Sequence, residues 1–221
     1  MTGVGTVTLR RGPRWVMAET PPTELLLASA SPFRRKLLEA AGVLVRVVPA
    51  NVDEPALKRG LAAGGLKLGP AAIAEAMAAA KAEDVSSALP EALVVGADQV
   101  LALQDELFDK PGDLAAARAQ LERLRGRTHS LFTAVALAQD GRVVWSKVEG
   151  ATLTMRNFSG AFLDGYLSRA GARLCQIVGG YEIEGAGIQL FERVDGDHFT
   201  IIGLPLVPLL AELRTRGVIQ T

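Results

Sequence analysis

The chain has 221 residues, 49% of them hydrophobic, enough to bury a sizeable core in one domain or in two closely packed lobes. Its 24 basic and 24 acidic residues cancel, so no global field draws it to a nucleic acid polymer or an anionic membrane, and any anion must be held locally. A lone cysteine, Cys175, excludes an internal disulfide framework and a cysteine-rich zinc site; within RLCQIV it reads as a buried apolar filler in a protein of the reducing cytoplasm.

Met1 to Thr23 carries Arg10, Arg11 and Arg14 without the apolar core of a secretory signal, and reads as an N-terminal extension. The following domain spans 24–221. Leu25 to Ala28 reads as a strand that runs into a loop at Ser29 and Ser31. Ser31 suits an N-cap and Pro32 a first helical residue, while Phe33, Leu37, Leu38 and Ala41 recur at helical spacing. Arg34 and Arg35 then fall in the first turn, where cations are unfavourable unless an anion is expected. Free amides, two hydroxyls and guanidinium groups suit an oligophosphate; a capped surface helix with solvated arginines is the plain alternative.

Val43 to Val48 reads as the next strand, and ANVDEP as a turn ending in Pro55. Lys58 to Gly69 holds four glycines and little periodicity, which predicts a loop or lid-like insertion. Pro70 opens a helix with Ile73, Met77 and Lys81 roughly on one face. ALVVGADQVLAL is a strand, QDELFDKPGD a turn, and Asp113 caps a helix striped by Leu114, Ala117, Leu121 and Leu124. Ser130–Ala138 and Arg142–Met155, joined by Gln139-Asp140-Gly141, predict an antiparallel hairpin. Phe158–Arg169 is a helix and Gly179–Gly187 a glycine-rich turn; strand signals continue to Ile202, and a last helix starts at Pro205. Alternating strands and helices predict an α/β fold.

Charges interrupt this pattern. Asp98 sits inside an otherwise buried strand, where a carboxylate needs a metal ion, a lysine or a hydrogen-bond nest. Lys81 continues an apolar face, either snorkelling or aimed into a cleft. Lys110 and Glu54 lie in turns, and Glu184 sits among glycines that permit close backbone approach. Together Arg34, Arg35, Lys81 and Lys110 suit an oligophosphate, while Glu54 and Asp98 suit a hard divalent cation or an oriented water. No paired CxxC, HExxH or GxxxxGK[ST] motif is present to favour zinc or a Walker-type ATPase.

Eight elements occur in order: LLLASASPFRRKLL, VDE at Val52 to Glu54, AKA around Lys81, GADQV around Asp98, DKP around Lys110, GRTH at Gly126 to His129, GGYEIEGAG, and GLPL at Gly203 to Leu206. The series resembles the Maf family of nucleoside triphosphate pyrophosphatases over nearly everything after Glu24. The resemblance implies a single two-lobed domain on an elongated mixed β-sheet, like that of inosine triphosphate pyrophosphatases. It also implies cleavage between the α- and β-phosphates with help from Mg²⁺ or Mn²⁺, in a cytoplasmic and often homodimeric protein. By correspondence, Asp98 is the proton acceptor, and Ser29, Ser31, Arg34, Glu54, Lys81 and Lys110 belong to the phosphate and metal site.

Phe33, Gln99 and Glu184 stand where the dTTP- and UTP-selective branch carries arginine, threonine and glutamine, and resemble the branch acting on 7-methyl-GTP. Methylation at N7 makes guanine cationic, which suits an aromatic face such as Phe33. A Glu184 carboxylate can accept from guanine N1–H and its amino group, whereas glutamine at position 99 can bond either edge. A pyrimidine-nucleotide pyrophosphatase and a nucleotide-binding regulator of septum formation are the alternatives.

Overall fold

The computed structural model describes residues 24–63, 68–104 and 106–220; the predicted extension lies outside them. Strands β1 (Leu25–Leu27), β2 (Arg46–Val47), β3 (Leu93–Leu103), β4 (Glu106–Phe108), β5 (Thr128–Gln139), β6 (Arg142–Met155) and β7 (Phe191–Asp195) form a seven-stranded sheet. Its order is β2-β1-β3-β5-β6-β7, with β4 also pairing with β3. β1 runs parallel to β2 and β3, and the remaining pairs are antiparallel, so the α/β fold on a mixed sheet is as expected.

The helices are α1 (Pro32–Ala40), α2 (Glu54–Ala63), α3 (Pro70–Ala88), α4 (Leu114–Leu124), α5 (Gly160–Ala170), α6 (His198–Ile202) and α7 (Leu206–Thr215). Caps account for several starts: the Ser31, Asp113 and Ser159 side chains accept from the main-chain N–H three residues on. The β5–β6 hairpin turns on Asp140 and Gly141, whose φ values of 51° and 70° match the twist of the strands they join. No described helix is long and apolar enough to cross a membrane.

Four local expectations are corrected. Lys58–Gly69 does not form a loop from its start: α2 continues through Ala63, because the Asp53 carboxylate caps it by accepting from Ala56 N at 2.9 Å. A single internal glycine, Gly60, costs a helix only about 1 kcal/mol relative to alanine. Of Val43–Val48, only Arg46 and Val47 pair with β1. Beyond β7 the chain is helical rather than extended, since Asp197 caps α6 through Thr200 N at 2.8 Å. Cys175 is half-buried rather than a core filler.

Side chains along β3 alternate between two interiors. Val94 and Val100 face α3, packing with Ala74, Ala78 and Ala82. Leu93, Val95 and Ala97 face the other way, towards α1 and α7, while Leu101 and Leu103 meet α4 and α5 on that same side. α3 lies exceptionally close to the sheet at Gly96: a methyl group there would stand 2.2 Å from Ala78 O and 2.7 Å from Ala82 N.

The opposite edge of β3 is not paired along its whole length. β1 ends with Leu27 opposite Val95, and β4 starts pairing only at Leu101. Residues 96–100 therefore have no strand neighbour on that edge. Asp98 and Gln99 occupy this gap and point to opposite faces of the sheet.

Candidate active site

On the α3 side of the gap, Lys81 and Asp98 are almost fully buried, with 9% and 8% exposure. Lys81 Nζ lies 2.7 Å from Asp98 Oδ1 and 2.7 Å from Glu54 Oε1. Lys81 is thus not a snorkelling residue; its ammonium is clamped between two carboxylates. The close approach at Gly96 places α3 for this contact, and the start of α2 brings in Glu54. Burial works to raise the Glu54 pKa, but the hydrogen bond and charge of Lys81, followed by Lys110 and Lys58, hold it below the ordinary carboxylate value.

Arg34 spans the mouth of the gap. Its Nε donates to Gly203 O at 2.8 Å, and Nη1 donates to Ser29 Oγ at 3.0 Å. Ser29 Oγ also accepts from Ser31 N at 3.2 Å, so the loop after β1 is organised around that hydroxyl. Burial lowers the Arg34 pKa while the charges of Asp98 and Glu54 oppose the shift, and a guanidinium in this setting remains a cation. Lys110 is surface-exposed as a residue, yet protein packed around its ammonium, then the charge of Arg34, lowers its pKa. Asp109 beside it pairs with Lys58, which ties the loop to α2.

Arg35 does not join this group. It is exposed and bonded to Glu39 one turn along α1, because adjacent helical residues project about 100° apart. Arg35, expected with the phosphate-binding set, thus stands apart in this structure, while Ser29, Ser31, Arg34 and Lys110 stand around the gap.

Across the gap lies a cavity lined by Phe33, Gln99, Tyr181, Glu182, Glu184 and Ile201, among others. Phe33 is half-buried and Glu184 exposed at the rim. The turn that supplies Glu182 and Glu184 is drawn tight at Gly187, where an added methyl would meet Glu182 O at 2.4 Å. Tyr181 is fixed from behind: its hydroxyl lies 2.9 Å from Nε2 of buried His129, and its ring meets Phe191 edge-on at 4.9 Å. Burial lowers the His129 pKa to about 4 and raises that of Tyr181, so both are neutral near pH 7. Sequence reasoning passed over Tyr181, Glu182 and the α6 residues; only the glycine-rich turn and GLPL hinted at them.

The chemistry of the arrangement suits an oligophosphate on one side and a flat, partly apolar group on the other. It has cations for the phosphates, a buried carboxylate for a water, and an aromatic cavity with acidic and amide groups for a base.

The family model described as Maf-like protein matches residues 24–216. A 7-methyl-GTP pyrophosphatase from Rhizobium etli is 48% identical over 197 residues, covering 89% of this chain and 98% of the relative. A protein of the same name from Mesorhizobium japonicum is 50% identical with the same coverage. A nucleoside triphosphate pyrophosphatase from Rhodospirillum rubrum is 49% identical over 202 residues, covering 91% of this chain and 98% of the relative.

Proposed function

The chain belongs to the Maf family, and from that membership we propose that it hydrolyses the α–β anhydride of a nucleoside triphosphate, preferring 7-methyl-GTP. The carrying observation is the cavity in which Phe33, Gln99 and Glu184 meet, beside the Lys81–Asp98–Glu54 cluster. Ser29, Ser31, Arg34 and Lys110 hold the phosphates, and Lys81 fixes the Asp98 carboxylate in place by bonding to it. A water at Asp98 attacks the α-phosphorus and gives its proton to the carboxylate. The bond to the bridging oxygen breaks and pyrophosphate leaves with the electron pair. Positioning and charge stabilisation supply most of the acceleration.

A divalent cation, Mg²⁺ or Mn²⁺, fits this donor set. Glu54 and Asp98 each keep a second oxygen beside the one on Lys81, and hard cations combine one or two carboxylates with phosphate oxygens and water. Among the described residues no group of three or more His, Cys, Asp or Glu side chains forms a protein-only cage, so substrate phosphates would complete the coordination. When bound, the ion would neutralise phosphate charge.

On the base side, a cationic N7-methylated ring over Phe33 gains about 0.5–2 kcal/mol, depending on solvent exposure. Glu184 supplies acceptors for guanine N1–H and the amino group. Uracil and thymine instead flank one N–H with two acceptors. Pyrophosphate release from 7-methyl-GTP, GTP, ITP, UTP and dTTP with Mg²⁺ or Mn²⁺ tests the reading. The expected order places 7-methyl-GTP first, and a preference for UTP or dTTP would overturn it.

A further inference from the structure

Gln99 is not free to choose its polarity. Its Nε2 donates to Thr133 Oγ1 at 2.9 Å and to the main-chain oxygens of Thr200 and Ile201 at 3.1 Å each. Backbone carbonyls only accept, so the amide nitrogen must face them. Thr133 Oγ1 gives its single proton to Thr200 O at 2.9 Å, and towards Gln99 it too is an acceptor. Two N–H groups therefore meet three acceptors on the cavity wall, and Gln99 Oε1 is the pole left for a ligand.

The wall is itself braced. Thr133 and Thr200 are fully buried at 0% exposure. Thr200 N donates to Asp197 Oδ1 at 2.8 Å, and Thr200 Oγ1 donates to Glu149 Oε2 at 2.7 Å. Rotating the Gln99 amide would set its oxygen against two carbonyls and strand their lone pairs in a buried place.

We propose that Thr133, together with the Thr200 and Ile201 carbonyls, is a positioning device that makes Gln99 an obligate acceptor for the exocyclic amino group of a 2-aminopurine nucleotide. The proposal rests on the pyrophosphatase reading above and deepens it. With Glu184 also an acceptor, the cavity matches a base edge with adjacent donors. A hypoxanthine base, which lacks the amino group, leaves Gln99 Oε1 without its partner. Loss of one such hydrogen bond at a half-buried site corresponds to about a tenfold change in binding.

The test compares kcat and KM for two pairs, GTP with ITP and 7-methyl-GTP with 7-methyl-ITP, in the parent, Gln99→Leu, Thr133→Val and Thr133→Ser. The parent should favour the amino-bearing member of each pair by about tenfold. Gln99→Leu should flatten both ratios. Thr133→Val should raise KM for the amino-bearing nucleotides and leave the others nearly unchanged, and Thr133→Ser, which keeps the hydroxyl, should restore the parental ratio. Should Thr133→Val fail to fold, Thr133→Ala, which also lacks the hydroxyl, takes its place with the same expected and overturning results.

Equal turnover within each pair by the parent, or an unaltered ratio in Gln99→Leu, would overturn the proposal while leaving the pyrophosphatase reading intact. Equal slowing of all four nucleotides in Thr133→Val would reduce Thr133 to a structural residue. Turnover confined to UTP or dTTP would overturn this proposal and the 7-methyl-GTP preference together, while leaving the pyrophosphatase chemistry.

Discussion

Gly96→Ala should damage the site without touching a polar group. The new methyl would lie 2.2 Å from Ala78 O and 2.7 Å from Ala82 N, both main-chain atoms of α3. Ordinary carbon–oxygen contact needs about 1 Å more, so helix and strand must separate by that amount. Overpacking of this kind costs about 1–3 kcal/mol of stability. Lys81 lies within one turn of Ala78 and travels with the helix, away from Asp98. A displacement of about 1 Å in a catalytic constellation lowers turnover by about 100-fold. Pyrophosphate release and a urea unfolding midpoint measure the two effects, with Gly160→Ala as control, since a methyl at Gly160 meets nothing within 4 Å. Parental kcat and an unchanged midpoint in Gly96→Ala would refute the reasoning.

Asp98→Asn should fold and retain nucleotide binding but lose about 10²–10⁴-fold in kcat, as measured by single-turnover assay; a loss of only a few-fold would remove Asp98 as the base. Arg34→Ala should raise KM steeply and Arg35→Ala hardly at all, since only the former reaches Ser29 and Gly203. Glu184→Gln should narrow the preference for 7-methyl-GTP over UTP, read from the kcat/KM ratio. For His129 the folded pKa of about 4 lies below the ordinary 6.5, so the unfolded chain binds the proton first. Its contribution is complete above pH 6.5 and is lost as pH falls towards 4, by at most about 3 kcal/mol. His129→Gln should flatten that part of the urea-midpoint profile relative to the parent.

Much of the local structure was legible because it is set locally. Ser31, Pro32 and the spacing from Phe33 to Ala41 define α1, and Asp140-Gly141 defines a two-residue hairpin turn. α2 was not, because the glycines after Lys58 outweighed the modest signal of Asp53 as a cap. Asp98, Lys81 and Glu54 stood out as charges against an apolar pattern, yet their meeting depends on α3 settling against Gly96, a contact no periodicity encodes. Arg34 and Arg35 are indistinguishable by composition, and a helical rotation separates their roles. Thr133 gave no signal at all, since threonine in a strand is ordinary.

The break in pairing along β3 has an evolutionary corollary. Asp98 and Gln99 are chain neighbours anchored in different interiors, one packed by α3 and the other by the helices across the sheet. Substitutions that retune nucleotide choice at position 99 and its wall can accumulate without disturbing the machinery of bond cleavage, and the reverse also holds. Insertions are another matter. One extra residue before Asp98 would exchange the two faces and send the carboxylate into the base cavity. This strand should therefore diversify by point substitution while its length stays fixed.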